Sequence, residues 1–278
     1  MTVTALENVP KAVVRRLAKS VTASRVAYAS HANIVKSWKQ VTRVSRPPTP
    51  TQVTLGIPAR AVATLFERVS HPPHLLTDKT DQSGCDAYVW VDNETLVVAV
   101  RGTTDRLDVR ADLRIQLDAF DDAEDDDDDH DDDDDARVHR GFAAQYTAVR
   151  SRLDDYLGVL KRKHVISAIH CTGHSLGGAV AELCALGFDK DDLPVTVHAI
   201  GPPRVGNHAF AAWACGRLEE NIRVQHRLDI VTYLPWRRVH AGDEVSITRV
   251  RPASLLRPTT FHSCDNYMAW VHSAAADS

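Results

Sequence analysis

A serine is framed by glycines in Gly173-His174-Ser175-Leu176-Gly177-Gly178. This stretch constrains the fold more than any other part of the chain. Val165 to Cys171, just before it, reads as a strand. Ala179 to Leu186, just after it, reads as a helix. A strand, a G-x-S-x-G turn and a helix in succession form the nucleophile-elbow pattern. The turn is so tight that its flanking residues must be small, and glycine best allows the backbones to cross. The serine hydroxyl then stands at the top of a sheet and at a helix N-terminus, where backbone N–H groups favour developing negative charge.

The surrounding pattern agrees with such a sheet. Ala87–Val91 and Thr95–Val100 flank Asp92-Asn93-Glu94 as a hairpin. Leu113, Ile115 and Leu117 alternate with polar residues as a half-exposed strand. Gly141–Leu160 reads as a long helix, Val195–Ile200 as a strand, Ala209–Leu218 as a helix and Ile222–His226 as a strand. Strands alternating with helices predict an α/β fold whose mostly parallel central sheet carries helices on both faces. With 278 residues and 44% hydrophobic composition, one large core is expected.

Charge is distributed unevenly. Residues 1–66 hold ten Lys/Arg and one acid, Glu7, whereas residues 121–135 hold thirteen acids and no Lys or Arg. Residues 9–40 read as a basic amphipathic helix with Val9, Val13, Leu17 and Val21 on one side. Such a helix packs on a core edge with its basic face in water, or lies on an anionic membrane as a peripheral contact. Ser45–Pro50 reads as a linker and Ala59–Val69 as a further helix. The expected division is a basic N-terminal extension over 1–50 and a catalytic-type domain over 51–278. The acidic run 121–135 reads as a solvated, disordered loop. It lacks the glycine that would shape a defined calcium site. The basic segment lacks aromatic interleaving and any nucleic-acid module, so no nucleic-acid partner is expected.

The five cysteines, at 85, 171, 184, 215 and 264, show no metal-ligand spacing. They point to free thiols in a reducing compartment. Met1–Val14 lacks the apolar core of a signal peptide, and no apolar run approaches the roughly 20 residues of a membrane span. The expected location is cytoplasmic, at most peripheral to a membrane.

Serine needs a base within hydrogen-bond reach, and the base needs a carboxylate to fix its tautomer. On this type of elbow the chain order is Ser, then Asp or Glu, then His, with the partners on loops after later strands. Asp229 leaves the end of the Ile222–His226 strand and fits the acid. Asp243 and Glu244 fit less well, because no clear strand points at them. His226 precedes the acid and His272 lies near a C-terminus expected to fray. His240 and His262 both satisfy the order, and pattern alone does not separate them. The backbone N–H of Leu176, directly after the serine, is the expected first oxyanion donor.

Seven segments in order resemble the class 3, or fungal-type, lipase family of the α/β-hydrolase fold. They are Val100–Thr103, Asp108–Leu113, Val138–Phe142, Gly173–Gly178, Gly201–Asn207, Asp229–Pro235 and His262–Tyr267. The resemblance covers about residues 86–270. It implies Asp229 as the acid, His262 as the base and Thr103 as the second oxyanion donor, while His240 resembles a structural histidine. It further implies hydrolysis of lipid carboxylic esters, of acylglycerol type, with no metal or organic cofactor. A phospholipase A1 or a non-lipid esterase would use the same machinery, and a non-catalytic lipid- or protein-binding scaffold would share the fold. The chain departs from the family at Thr104–Ala111, a short, charged stretch where the lid is expected. Little apolar area there argues against strong interfacial activation.

Overall fold

A computed structural model describes residues 2–42, 57–69, 71–76, 86–102, 136–188, 193–236, 238–248 and 258–276. Thr103, the lid stretch 104–111, the strand expected at Leu113–Leu117 and the acidic run 121–135 lie outside the described residues. So does the Ser45–Pro50 linker.

The strands are β1 (Val3–Ala5), β2 (His74–Leu76), β3 (Ala87–Asp92), β4 (Thr95–Val100), β5 (Ala168–His174), β6 (Val195–Ile200), β7 (Glu220–His226) and β8 (Asp243–Ile247). The helices are α1 (Lys11–Val26), α2 (His31–Thr42), α3 (Ala59–Phe66), α4 (Arg140–Lys163), α5 (Leu176–Gly187), α6 (His208–Ala214) and α7 (Cys264–Ala276). The strands form one sheet in the order β1-β8-β7-β6-β5-β4-β3-β2. Every pairing from β1 through to β4 is parallel, and β2–β3 and β3–β4 are antiparallel. The expected hairpin is present, with Val91 opposite Leu96 and a turn at Asn93, whose φ is 54°.

Side chains alternate between two cores, as a strand's period of two requires. Val89, Val91, Leu96, Val98, Ile169, Cys171 and Val197 pack with α4, α5 and α6 on one face. Tyr88, Trp90, Val97, Ala99, Ile200 and Val224 pack with α1, α3 and α7 on the other. Both faces are apolar, so the strands read as near-continuous hydrophobic runs, as sheets covered on two sides do.

The N-terminal region joins the sheet: β1 extends it beside β8, pairing Val3 with Glu244. The predicted helix 9–40 is two helices, because the chain tightens at Tyr28 and Ala29. Val14, Leu17 and Val21 of α1 are buried against the sheet. Its basic face is turned to water, and three of its cations also meet acids: Arg16 pairs with Glu220 at 2.5 Å, Lys19 with Asp92 at 3.5 Å, and Arg25 with Asp265. The apolar face is thus committed to the core and is not open to a membrane.

Part of the sheet under α1 is a polar patch within this otherwise apolar face. Ser20 Oγ lies 2.9 Å from His170 Nε2 and 2.7 Å from His198 Nδ1, and Ser24 Oγ lies 2.9 Å from Thr172 Oγ1. His198 Nε2 reaches Glu220 Oε1 at 2.5 Å. That hydrogen bond, with help from Arg16, holds the Glu220 carboxyl at about 2 against the opposing effect of burial.

Other departures have local causes. The helix expected to reach Leu218 stops at Ala214, because Cys215 is extended and Gly216 adopts φ of 76°. Asp243 and Glu244 do lie on a strand, β8. His272 does not fray: it sits in α7, with Nε2 2.8 Å from Thr22 Oγ1 of α1.

Candidate active site

The elbow is built by β5 running directly into α5. Ser175 occupies the corner with φ of 59° and ψ of −131°, a region that side chains other than glycine rarely adopt. The strain is over-determined by close packing. A Cβ on Gly173 would collide with the Gly177 carbonyl, and one on Gly177 would come within 2.5 Å of the Val100 carbonyl on β4. Ser175 N donates to Ile200 O at 2.9 Å, and its own carbonyl accepts from Gly178 N at 2.8 Å. Leu176 is the first residue of α5, so its N–H belongs to the unpaired first turn.

Asp229 follows β7 and caps the 3-10 turn Ile230–Tyr233. Its carboxylate is fully buried. Oδ1 accepts from Val231 N at 3.0 Å. Oδ2 lies 2.8 Å from His262 Nδ1 and accepts from the Tyr267 hydroxyl at 2.8 Å. A buried carboxylate survives only with such compensation. Burial, and then the adjacent Asp229 charge, push the Tyr267 phenol well above its ordinary value, so it remains a donor.

His262 ends the 3-10 turn Pro258–His262 and points back to the elbow. Its Nε2 lies 2.7 Å from Ser175 Oγ. A carboxylate only accepts, so Nδ1 carries the proton toward Asp229, and neutral Nε2 is left to accept from the serine hydroxyl. The structure therefore joins Ser175, His262 and Asp229 in one hydrogen-bonded line. His240, the alternative on chain order, is elsewhere: its Nε2 donates to Thr232 O at 2.7 Å. Burial first, then Arg223, lower it to about 3. His226 is a wall, its ring stacked against Phe261 at 4.6 Å and Trp270 at 4.6 Å.

Supports that the sequence reading did not single out complete the site. His174, the residue before the serine, donates from Nε2 to the His262 carbonyl at 2.9 Å. Its Nδ1 then accepts from the Tyr28 hydroxyl at 2.8 Å. Tyr28, between α1 and α2, thus fixes the loop that carries His262. Gly102 is needed below, where a Cβ would meet both the Tyr28 hydroxyl and the His174 carbonyl. His174 and Tyr267 stood inside quoted segments. Tyr28 carried no signal beyond being an aromatic residue at a helix break. Thr103, the expected second oxyanion donor, falls just past the last described residue of that segment.

Comparison with known proteins gives the same family. The model of "Lipase (class 3)" matches residues 97–239, more than half of the chain. The chain is 31% identical over 156 residues to secreted mono- and diacylglycerol lipase 1 of Fusarium solani, covering 55% of this chain and 44% of that protein. It is 28% identical over 211 residues to phospholipase A1-IIbeta of Arabidopsis thaliana, covering 65% of this chain and 49% of that protein. It thus spans less than half the length of these two relatives. Among solved structures, Lip2 lipase from Yarrowia lipolytica superposes with a TM-score of 0.61 at 22% identity, covering 87% of this chain and 80% of that one. The chain belongs to the class 3 lipase family and has its α/β-hydrolase fold.

Proposed function

We propose that this chain is a serine hydrolase that cleaves carboxylic esters of lipids, of acylglycerol type. The observation that carries the reading is the line from Ser175 Oγ through His262 to Asp229, at 2.7 Å and 2.8 Å.

Ser175 Oγ attacks the ester carbonyl while His262 Nε2 takes its proton. Asp229 holds the resulting imidazolium in orientation and balances its charge. The tetrahedral oxyanion sits at the N-terminus of α5, accepting from Leu176 N–H and, as second donor, from Thr103. Collapse expels the alcohol, which receives the proton from His262, and leaves an acyl-Ser175. Water, activated by the same histidine, releases the acid and restores the serine. No step calls for a metal or organic cofactor.

The test is labelling with a fluorophosphonate and release of fatty acid from mono- and diacylglycerols. Both are expected in the wild type and absent in Ser175→Ala. Labelling that persists in Ser175→Ala would overturn the assignment of the nucleophile. A second reading, phospholipase A1, is favoured by the likeness to phospholipase A1-IIbeta. Release of the sn-1 acyl group from phosphatidylcholine faster than from diacylglycerol would select it. The described cysteines, Cys171, Cys184, Cys215 and Cys264, are free thiols, which supports a reducing, cytoplasmic location.

A further inference from the structure

Exposed large apolar side chains are few among the described residues, and Leu228, Ile230, Tyr233 and Trp236 all fall within one short loop. It is the loop that carries Asp229. Its residues divide sharply by direction. Asp229, Val231 and Thr232 are buried, and each is tied by a hydrogen bond: Val231 N to Asp229 Oδ1 at 3.0 Å, and Thr232 Oγ1 to Asp229 O at 2.8 Å. Ile230, Tyr233 and Trp236 are turned to solvent, Trp236 being 82% exposed, while Leu234 is half-buried and Pro235 buried. The loop is also braced from outside. The Tyr233 hydroxyl donates to Arg227 O at 3.0 Å, and Arg204 Nη1 donates to Trp236 O at 3.2 Å. The apolar side chains are thus held out by a rigid turn.

Cationic side chains stand beside them. Asp229 is buried against His262, and the buried Arg223 pairs with Glu244 at 3.0 Å, so neither presents its charge to this surface. Arg227 is exposed beside Leu228, and Arg204 reaches in from the loop after β6. Tryptophan and tyrosine beside aliphatic side chains and arginines suit the headgroup level of a bilayer, where an amphipathic ring meets both phases. An anionic surface adds attraction of about fivefold in binding per arginine.

We propose that Leu228, Ile230, Tyr233 and Trp236, with Arg204 and Arg227, form a fixed docking surface for an anionic lipid–water interface. This rests on the ester-hydrolase reading above, and it gives that site a means of meeting its substrate without the lid stretch. Docking on this loop sets the interface beside the acid of the catalytic line. It also places membrane contact away from α1, whose apolar face is occupied by the sheet.

The test is cosedimentation of the full chain carrying Ser175→Ala, so that hydrolysis does not alter the vesicles. Two vesicle types serve as probes: phosphatidylcholine alone, and phosphatidylcholine mixed with phosphatidylglycerol. Tighter binding to the mixed vesicles is expected, weakening with salt. Adding Trp236→Ser should reduce that binding by about tenfold, and adding Arg227→Gln by about fivefold. Val165→Ser, at an exposed apolar residue elsewhere, should leave it unchanged. An unchanged thermal midpoint in Trp236→Ser shows that the fold is intact. Equal binding with and without Trp236, or equal binding to both vesicle types, overturns the proposal. So does self-association lost in Trp236→Ser without vesicle binding. Wild-type hydrolysis of a water-soluble ester tests the enzymatic reading separately, so either can fail alone.

Discussion

The Tyr267 hydroxyl and the Asp229 carboxylate share a 2.8 Å hydrogen bond on Oδ2, the oxygen that also faces His262 Nδ1. The same phenol oxygen accepts from His226 N at 2.9 Å. Tyr267→Phe therefore takes a donor from a buried carboxylate and leaves a buried N–H unmet. Hydrogen bonds to charged groups contribute about 1.5–3 kcal/mol. Stability measured by denaturant should fall by about that much. On a soluble ester, kcat should fall about tenfold with KM nearly unchanged, because Tyr267 touches the acid and not the substrate. A loss confined to KM would contradict this positioning role.

His240 and His262 separate cleanly by substitution. His262→Ala should lower kcat by about 10⁴ or more. His240→Gln, at a ring lowered to about 3 and bonded to the Thr232 carbonyl, should keep most activity. Its cost is expected in stability, about 1–2 kcal/mol. Single-turnover kinetics with both variants checks the assignment.

Glycine substitutions should diverge by position. Gly177→Ala would place a Cβ within 2.5 Å of the Val100 carbonyl, forcing apart β4 and the elbow. Loss of soluble protein, or of the thermal transition and activity together, is expected. Gly158→Ala, within α4 and 3.7 Å from its nearest neighbour Arg162, should stabilise by about 0.5–1 kcal/mol.

Glu182 sits fully buried in α5, accepting from Asn221 Nδ2 at 3.0 Å. Burial, only partly offset by Asn221 and Arg223, raises its carboxyl from 4.5 to about 7. The folded state therefore holds this proton more tightly than the unfolded state. The stabilisation is full below 4.5 and is lost as pH rises through about 7. Glu182→Gln keeps the acceptor and removes the titration. Relative to wild type, it should gain about 3 kcal/mol on going from about pH 4 to about pH 8. A pH-independent difference between the two proteins would contradict the buried ionisation.

The elbow, the hairpin and the chain order of Ser175, Asp229 and His262 were legible because each depends on local pattern. Glycines must flank the serine, alternation marks β3 and β4, and the acid must leave a strand end. β1 was not legible, since Val-Thr-Ala becomes a strand only when β8 offers its edge. Nor was the pairing of Tyr28 with His174, which joins residues 146 positions apart. The choice of His262 over His240 needed the family resemblance, because chain order permits both. Burial then distinguishes them physically: one ring faces the serine, and the other is locked to a carbonyl.

The adjacency of α1 and α7, joined by Arg25 to Asp265 and by Thr22 to His272, has a consequence for synthesis. α1 is made well before the α7 that completes it. Between their translation lies a wait on the order of ten to fifty seconds at ordinary ribosomal speed. Throughout it Leu17 and Val21 lack part of their cover, and for most of it β1 lacks β8. The seventh described helix also follows His262 after one residue, so the nascent chain holds Ser175 well before His262. A ribosome-bound chain ending before residue 258 would be rich in uncovered apolar surface, which makes this late closure the step at which a chaperone has most to protect.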